Sequence, residues 1–224
     1  MNALINAHTQ REHDDSPHIR LTSDVLPEAQ CSQTGASSEH VQKTGHHWFV
    51  LRVTYNRTAK ACNIISNAGL QSYMPMHYVI KKDIGKKKRI LQPLLPNIFF
   101  VYSTREEVNS IIKKKMDELP IIKFYLDKTK KIEANGKHPP LTIPFTTMLN
   151  FIKATSTDSE HVRIVSSEQC HYKTGDIVNV IDGEFKGVTG RVARIAGQQR
   201  VVVEISGLCL VATAYIPSSF IEKK

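Results

Sequence analysis

The change of periodicity after the middle of the chain constrains the fold more than any other feature of this sequence. From Gly175 to Ile221 no helical period is present, and glycines interrupt short β-prone runs. These runs cover 177–181, 188–195, 200–205 and 208–216. Turns separate them at roughly ten-residue spacing, at 182–183, 196–197 and 206–207. This rhythm predicts a small β-barrel, because β-branched residues and glycines both oppose long helices.

Residues 46–153 follow a different pattern, in which β-prone runs alternate with helical periods. The run over 48–53 has little polarity, which predicts a central strand buried on both faces. Apolar residues recur at helical spacing in three places, over 61–68 ahead of Gly69, over 108–112 and over 145–152. A capping-box spacing at 104–107 precedes the second of these helices. The order β-α-β-hairpin-β-α-β-α predicts an α+β chain whose first domain is a mixed α/β sandwich.

Basic residues are concentrated in the middle of the chain. Residues 46–169 carry 20 Lys and Arg against 10 Asp and Glu, whereas residues 1–45 carry 3 against 6. The densest cluster, over 81–89, has six cations and one anion around Gly85, which predicts a solvent-exposed basic hairpin or loop. Such an excess indicates a polyanionic partner or an acidic protein surface, although a domain can also be basic without a specific partner.

The remaining segments predict the domain boundaries. Residues 1–45 are polar and without periodicity, so we expect a disordered tail there. We expect the first domain over 46–153, a polar linker over 154–169 and the β-rich domain over 170–224. No apolar run of about 18 residues is present, and the N-terminus lacks the basic flank and apolar stretch of a secretory signal. The sequence therefore predicts a soluble, cytoplasmic protein without a membrane partner.

No arrangement of residues predicts catalysis or metal binding. Gly183, Gly187 and Gly190 have the spacing GxxxGxxG, but the next predicted element is a strand, so the helix terminus of a phosphate loop is missing. The four cysteines are scattered and form no CxxC pair for a zinc site. Paired carboxylates placed for acid–base chemistry and a GxSxG serine are also missing. We therefore expect no enzyme, no metal and no cofactor.

Residues 175–192, GDIVNVIDGEFKGVTGRV, combine a Gly-Asp pair, alternating valines and further glycines. This segment resembles the KOW motif, in which glycines allow tight corners between strands. The matching positions are Gly175, Asp176, Val178, Val180, Gly183, Gly187 and Gly190. The resemblance implies an SH3-like KOW β-barrel over 170–224. KOW barrels occur in transcription proteins and in ribosomal proteins.

The first domain resembles the NGN domain of the NusG family of transcription elongation factors. The resemblance depends on HWFVLRV at 47–53, the helix that ends at Gly69, YMP at 73–75 and PLLPNIFFV at 93–101, in this order and spacing. Where the family usually has Pro-Gly-Tyr, this chain has PNI at 96–98, and Asn tolerates a left-handed turn better than other non-glycine residues. The long tail and RVTYNR at 52–57 are most similar to the specialised UpxY and RfaH-type paralogues. Those are operon-dedicated antiterminators found beside capsular polysaccharide loci.

This resemblance implies a transcription factor whose main partner is RNA polymerase. The NGN domain would hold the clamp helices of the largest polymerase subunit through a concave apolar surface, which would disfavour pausing and termination. The residues implied for that surface or its support are Trp48, Tyr55, Tyr73, Pro75 and Phe99. Aromatic strand residues are more often ordinary core residues, so direct contact is expected for only some of them.

Nucleic acid is the second implied partner, either as the exposed non-template DNA strand or as nascent RNA. The cations implied for this contact are Arg52, Arg57, Lys60, Lys81, Lys82, Lys86, Lys87, Lys88 and Arg89. Phosphate neutralisation by such a cluster gives salt-sensitive binding, although a lysine-rich turn can also simply be solvated. The KOW domain is the implied contact for Rho or a ribosomal protein, and we expect a monomer.

Two other functions stay open at this point. One is a housekeeping NusG-type elongation factor that acts on most transcription units. The other is a ribosomal or general RNA-binding KOW protein, which is disfavoured because such proteins lack the upstream NGN pattern.

Overall fold

The computed structural model describes residues 41–54, 57–83, 86–117, 122–157 and 161–224. The elements up to residue 157 are, in chain order, β1 (His47–Val53), α1 (Thr58–Asn67), β2 (Gln71–Tyr73), β3 (Met76–Asp83), β4 (Lys86–Pro93), β5 (Ile98–Ser103), α2 (Arg105–Lys114), β6 (Ile122–Phe124), β7 (Thr142–Ile143) and α3 (Phe145–Thr155). The later strands are β8 (Arg163–Val165), β9 (His171–Val180), β10 (Thr189–Ile195), β11 (Gln198–Ile205), β12 (Cys209–Tyr215) and β13 (Ile221–Lys223).

The N-terminal half is an antiparallel sheet with helices on both faces. Its strand order is β2-β5-β1-β6, and β7 also pairs with β1. Side chains alternate along β1, so that Trp48 and Val50 face α3 while Phe49 and Leu51 face α1 and α2. This arrangement confirms the predicted mixed α/β sandwich and the predicted double burial of β1.

Three local predictions agree with the backbone of this half. Thr104 Oγ1 accepts a hydrogen bond from the Glu107 backbone N–H over 3.2 Å, and the reciprocal bond completes the capping box. Gly69 follows α1 with φ +90°, as a left-handed helix terminus requires. Asn97 has φ +62°, so this asparagine keeps the left-handed turn that glycine usually provides.

The C-terminal half is an antiparallel sheet in the order β13-β9-β10-β11-β12-β8. The predicted closed barrel is not shown, because no pairing between the described strands joins β8 to β13. Both end strands have three residues and lie in segments for which the sequence predicted no strand. β8 falls within the predicted linker and pairs with β12, so this segment is part of the sheet.

Helix α3 connects the two halves. It packs against β1 on one side and against β11 and β12 on the other. One apolar core therefore runs from Trp48 through Phe151 to Val201 and Val211. The last residues of the predicted tail contact the N-terminal sheet. The Lys43 backbone N–H donates a hydrogen bond to the hydroxyl of Tyr102 on β5, over 2.7 Å. The division into domains stays a prediction.

Candidate nucleic-acid interface

The basic cluster lies on a two-stranded hairpin that forms a sheet of its own. Strands β3 and β4 pair from Met76 opposite Pro93 to Asp83 opposite Lys86. At its base, the Leu94 backbone N–H donates a hydrogen bond to the Pro75 carbonyl over 2.8 Å. The predicted basic hairpin is therefore present. Its first strand, β3, begins at Met76, five residues before Lys81.

Like charges face each other near the tip of the hairpin. Lys81 lies directly opposite Lys88, and Lys82 lies directly opposite Lys87. All four side chains are exposed to solvent. Directly opposite like charges destabilise an antiparallel pair, and a polyanion bound to the tip would relieve this repulsion. The pairing therefore favours a negatively charged partner at the tip.

The arms of the hairpin differ from its tip in chemistry. The guanidinium of Arg89 lies 3.7 Å from the centre of the Tyr78 ring, which is the geometry of a cation–π contact. Across the other face, Gln92 Nε2 and His77 Nε2 are 3.3 Å apart. Burial lowers the pKa of His77, so its imidazole is neutral at neutral pH and adds no charge to the arms.

The other three predicted cations lie on β1 and at the start of α1. Arg52 is exposed on β1, opposite Ile98 on one side and Lys123 of β6 on the other. Arg57 precedes α1 and Lys60 lies in its first turn, and both are exposed. Lys123 was not among the cations predicted from the sequence. It lies 71 residues after Arg52 in the chain, and only the pairing of β6 with β1 brings the two residues together.

The residues predicted for the polymerase-binding surface are buried wherever they are described. Trp48, Tyr73, Pro75 and Phe99 all lie in the interior, and Tyr55 lies outside the described residues. Trp48 and Tyr73 belong to the core beneath α3, whereas Phe99 belongs to the core beneath α1 and α2. They cannot form one continuous surface in this structure, because the sheet lies between them. The role of these residues in a polymerase-binding surface, or in its support, stays a prediction.

Tyr73 illustrates how these aromatic residues are held. Its hydroxyl lies 2.6 Å from Thr155 Oγ1 and 3.2 Å from Ser156 Oγ, at the C-terminal end of α3. Burial raises the pKa of this phenol, so it stays protonated. The hydrogen bonds fix the end of α3 on the sheet, which is a structural role.

The predicted KOW positions divide into core residues and turns. Val178 and Val180 are each 1% exposed and lie in the core. Gly183 and Gly187 have φ +79° and +82°, as predicted for turn glycines. The backbone of β9 includes residues 175 and 176. Gly190 lies in β10, and its role is a close approach to β11.

Two other hairpin residues, Tyr78 and Ile80, share a face of the hairpin with the predicted cation Arg89. The prediction began the basic segment at Lys81, so these residues lay outside it. The strand register shows that the side chains of residues 78, 80, 89 and 91 lie on one face of the hairpin.

No helix in the described parts of the chain is long and apolar enough to span a membrane. A family model described as "Transcription termination factor nusG" matches residues 46–120, about a third of the chain. No curated protein matches the chain. The matched segment begins just before β1 and includes the hairpin, β5 and α2. The match shows that residues 46–120 are similar to the NusG family of transcription termination factors.

Proposed function

We propose that this protein is a transcription elongation factor that binds RNA polymerase and suppresses pausing and termination. The observation that carries the proposal is the NusG match over 46–120, because it covers the basic hairpin and most of the N-terminal sheet. The chain is not proposed to have an enzymatic activity. It would act by occupying the polymerase and holding its clamp closed.

The proposed polymerase contact is with the clamp helices of the largest subunit. The buried aromatic residues Trp48, Tyr73 and Phe99 support this contact by fixing the sheet and the helices on it. Tyr55 stays a candidate for direct contact.

The proposed nucleic-acid contact is the hairpin tip, with the non-template DNA strand or nascent RNA as ligand. Lys81, Lys82, Lys87 and Lys88 support it, because they are exposed and paired with like charges. Arg52, Arg57 and Lys60 extend the positive charge along β1 and α1.

A narrower form of the proposal is a specialised antiterminator for a capsular polysaccharide operon. It depends on the similarity of the tail and of residues 52–57 to the UpxY and RfaH-type paralogues. In this form the protein is a monomer whose KOW domain, over 170–224, recruits Rho, a ribosomal protein or neither. The alternative is a housekeeping NusG-type factor.

Single-round transcription by the cognate RNA polymerase tests the proposal. Templates with pauses and terminators carry either the leader of a neighbouring polysaccharide operon or an unrelated leader. The variant Lys82→Ala/Lys87→Ala removes two hairpin cations, and Lys113→Ala/Lys114→Ala removes two exposed cations from α2 as a matched control. We expect increased read-through with the wild type and the control, and a smaller increase with the hairpin variant.

The two leaders separate the narrow form from the broad one. Read-through on the native leader alone supports the specialised antiterminator, and equal read-through on both supports the housekeeping role. Absence of both read-through and polymerase binding would contradict the proposed function itself.

A further inference from the structure

A cavity of about 420 Å³ lies at the N-terminal end of α3, away from the basic hairpin. Its apolar wall consists of Trp48 on β1, Tyr102 on β5 and residues 143–145, where β7 leads into α3. This volume falls within the range of small-molecule sites in proteins, about 300–1,000 Å³. The polar lining residues that the structure describes include no Asp or Glu; they are Gln42, His46, His47, Lys130, Thr142 and Thr146.

The indole of Trp48 brings an unpartnered hydrogen-bond donor to this cavity. Trp48 is 1% exposed, and its Nε1 is buried without a hydrogen-bond partner among the described residues. A tryptophan N–H can only donate, and it usually has an acceptor when it is buried. Because buried polar groups are nearly always paired in native proteins, this donor indicates an acceptor that binds in the cavity.

The N-terminus of α3 adds backbone donors to the same cavity. The first N–H groups of a helix have no acceptor within the helix. The residue before α3 is Pro144, which provides no side-chain cap, and the first turn contains no acidic residue. The positive end of the helix dipole favours a negative charge beside these N–H groups. The acceptor that fits both the helix and Trp48 is therefore an anion.

Lys130 adds positive charge to the lining. Its side chain is exposed, and its Nζ lies 3.5 Å from Asp127 Oδ2. An ammonium group has three N–H donors, so this ion pair leaves donors for a second oxyanion. His46 Nε2 similarly lies 3.9 Å from Glu107 Oε2. Neither of these two carboxylates lines the cavity, so they leave its interior to a ligand.

We propose that this cavity binds a small organic oxyanion, a carboxylate or a phosphate ester on a planar, apolar body. The oxyanion accepts hydrogen bonds from the N-terminus of α3 and from the indole N–H of Trp48, and the ammonium of Lys130 balances its charge. The apolar body packs against Tyr102 and Phe145, whose rings are 5.4 Å apart. The inference goes beyond the proposed function, because this ligand is neither RNA polymerase nor nucleic acid.

The test follows the indole N–H resonance of the full chain by ¹H–¹⁵N NMR. Trp48 is the single tryptophan of the sequence, so this resonance is unique. The probes are phenyl phosphate and benzoate, which carry an oxyanion on a ring, inorganic phosphate, which lacks the ring, and phenol, which lacks the oxyanion. We expect a saturable downfield shift with at least one ring oxyanion, weaker binding of inorganic phosphate, and no saturable shift with phenol at the same concentrations.

The two ring oxyanions distinguish the two sources of the negative charge. Saturation with phenyl phosphate alone supports a phosphate ester as the ligand, and saturation with benzoate alone supports a carboxylate. Saturation with both supports the general proposal of an organic oxyanion.

Two pairs of variants locate the bound anion. Lys130→Met removes one charge and should raise the dissociation constant about 2- to 5-fold, as loss of an exposed ion pair does. Lys131→Met, at the next exposed lysine outside the lining, is its control. Thr146→Glu places a carboxylate in the first turn of α3 and should weaken binding by about 5-fold. Its control is Asn109→Glu, which adds the same charge at an exposed position on α2.

The absence of a saturable shift with either ring oxyanion would overturn the proposal. Phenol binding as tightly as phenyl phosphate would also overturn it, because the cavity would then select only an apolar ring. Equal effects of each variant and its control would show that the anion binds elsewhere on the surface. The NMR spectrum of each variant establishes that the chain is folded, and the transcription assay contains none of these probes, so its outcome is separate.

Discussion

The side chain of Asn150, on α3, forms hydrogen bonds with both backbone groups of Thr189, at the start of β10. Its Nδ2 donates to the Thr189 carbonyl, and its Oδ1 accepts from the Thr189 N–H over 2.7 Å. The side-chain amide of Asn150 therefore makes the two hydrogen bonds that the backbone of a neighbouring strand would make with Thr189. Since α3 packs on the N-terminal sheet and Thr189 belongs to the C-terminal sheet, this pair fixes how the two sheets meet.

Replacing Asn150 with alanine should loosen this junction. The change leaves two partly buried backbone groups without partners, which costs about 1–3 kcal/mol of stability. The most direct measurement is amide hydrogen exchange at Thr189, which we expect to accelerate in Asn150→Ala. Urea unfolding should show a lower midpoint as well.

Thr146→Ala, at an exposed position on the same helix, is the control and should change neither measurement. Unchanged exchange at Thr189 in Asn150→Ala would show that the two sheets are held together by their apolar core alone.

Lys87→Glu should improve the stability of the hairpin and impair its function. It converts the like-charge pair with Lys82 into an opposite-charge pair, and such cross-strand pairs differ by about 0.2–1 kcal/mol. We expect slower hydrogen exchange in β3 and β4 and weaker binding to nucleic acid. A variant that loses stability and keeps its affinity would show that charge repulsion at the tip has no role in binding.

Replacing the four residues Lys86 to Arg89 with alanine should flatten the salt dependence of binding to an elongation complex. Each phosphate contact that is lost lowers the slope of log K against log salt by about 0.7 for a single strand. The measurement is the dissociation constant over a range of NaCl concentrations, with Lys113→Ala/Lys114→Ala as the control. An unchanged slope would show that the hairpin cations do not contact nucleic acid in the elongation complex.

Local sequence signals predicted the N-terminal half well, because its elements depend on neighbouring residues. The capping box at Thr104 and the left-handed glycine at Gly69 are of this kind. The strand β8 was missed because three residues give no periodicity, and only its pairing with β12 defines it. The sequence also could not predict that Phe99 and Trp48 are buried in different cores. A run of β-branched and aromatic residues does not reveal which helix covers each face of its strand.

The cap of α2 should make stability depend on pH. The pKa of Glu107 is lowered, first by a hydrogen bond from the Ser103 hydroxyl and then by the backbone N–H of Thr104. A lowered pKa in the folded state contributes stability above the ordinary glutamate pKa of about 4.3, and this contribution is lost as the pH falls through the folded pKa. Glu107→Gln should therefore unfold with a smaller difference between pH 7 and pH 3 than the wild type. Glu106→Gln, at an exposed neighbouring position, is the control and should keep the difference of the wild type.

Gly190 should tolerate substitution less well than Gly197, although both lie in the C-terminal sheet region. A Cβ at Gly190 would lie 2.5 Å from the Val202 carbonyl oxygen and 2.7 Å from Val201 Cγ1, so β10 and β11 would have to separate. Gly190→Ala should destabilise the chain by about 1–3 kcal/mol, as overpacking of a core does. Gly197 has φ +77° and nothing within 4 Å of the added atom, so Gly197→Asn, which suits a left-handed turn, should cost much less. Urea unfolding followed by circular dichroism compares the two variants, and equal midpoints would mean that the sheet adjusts freely at Gly190.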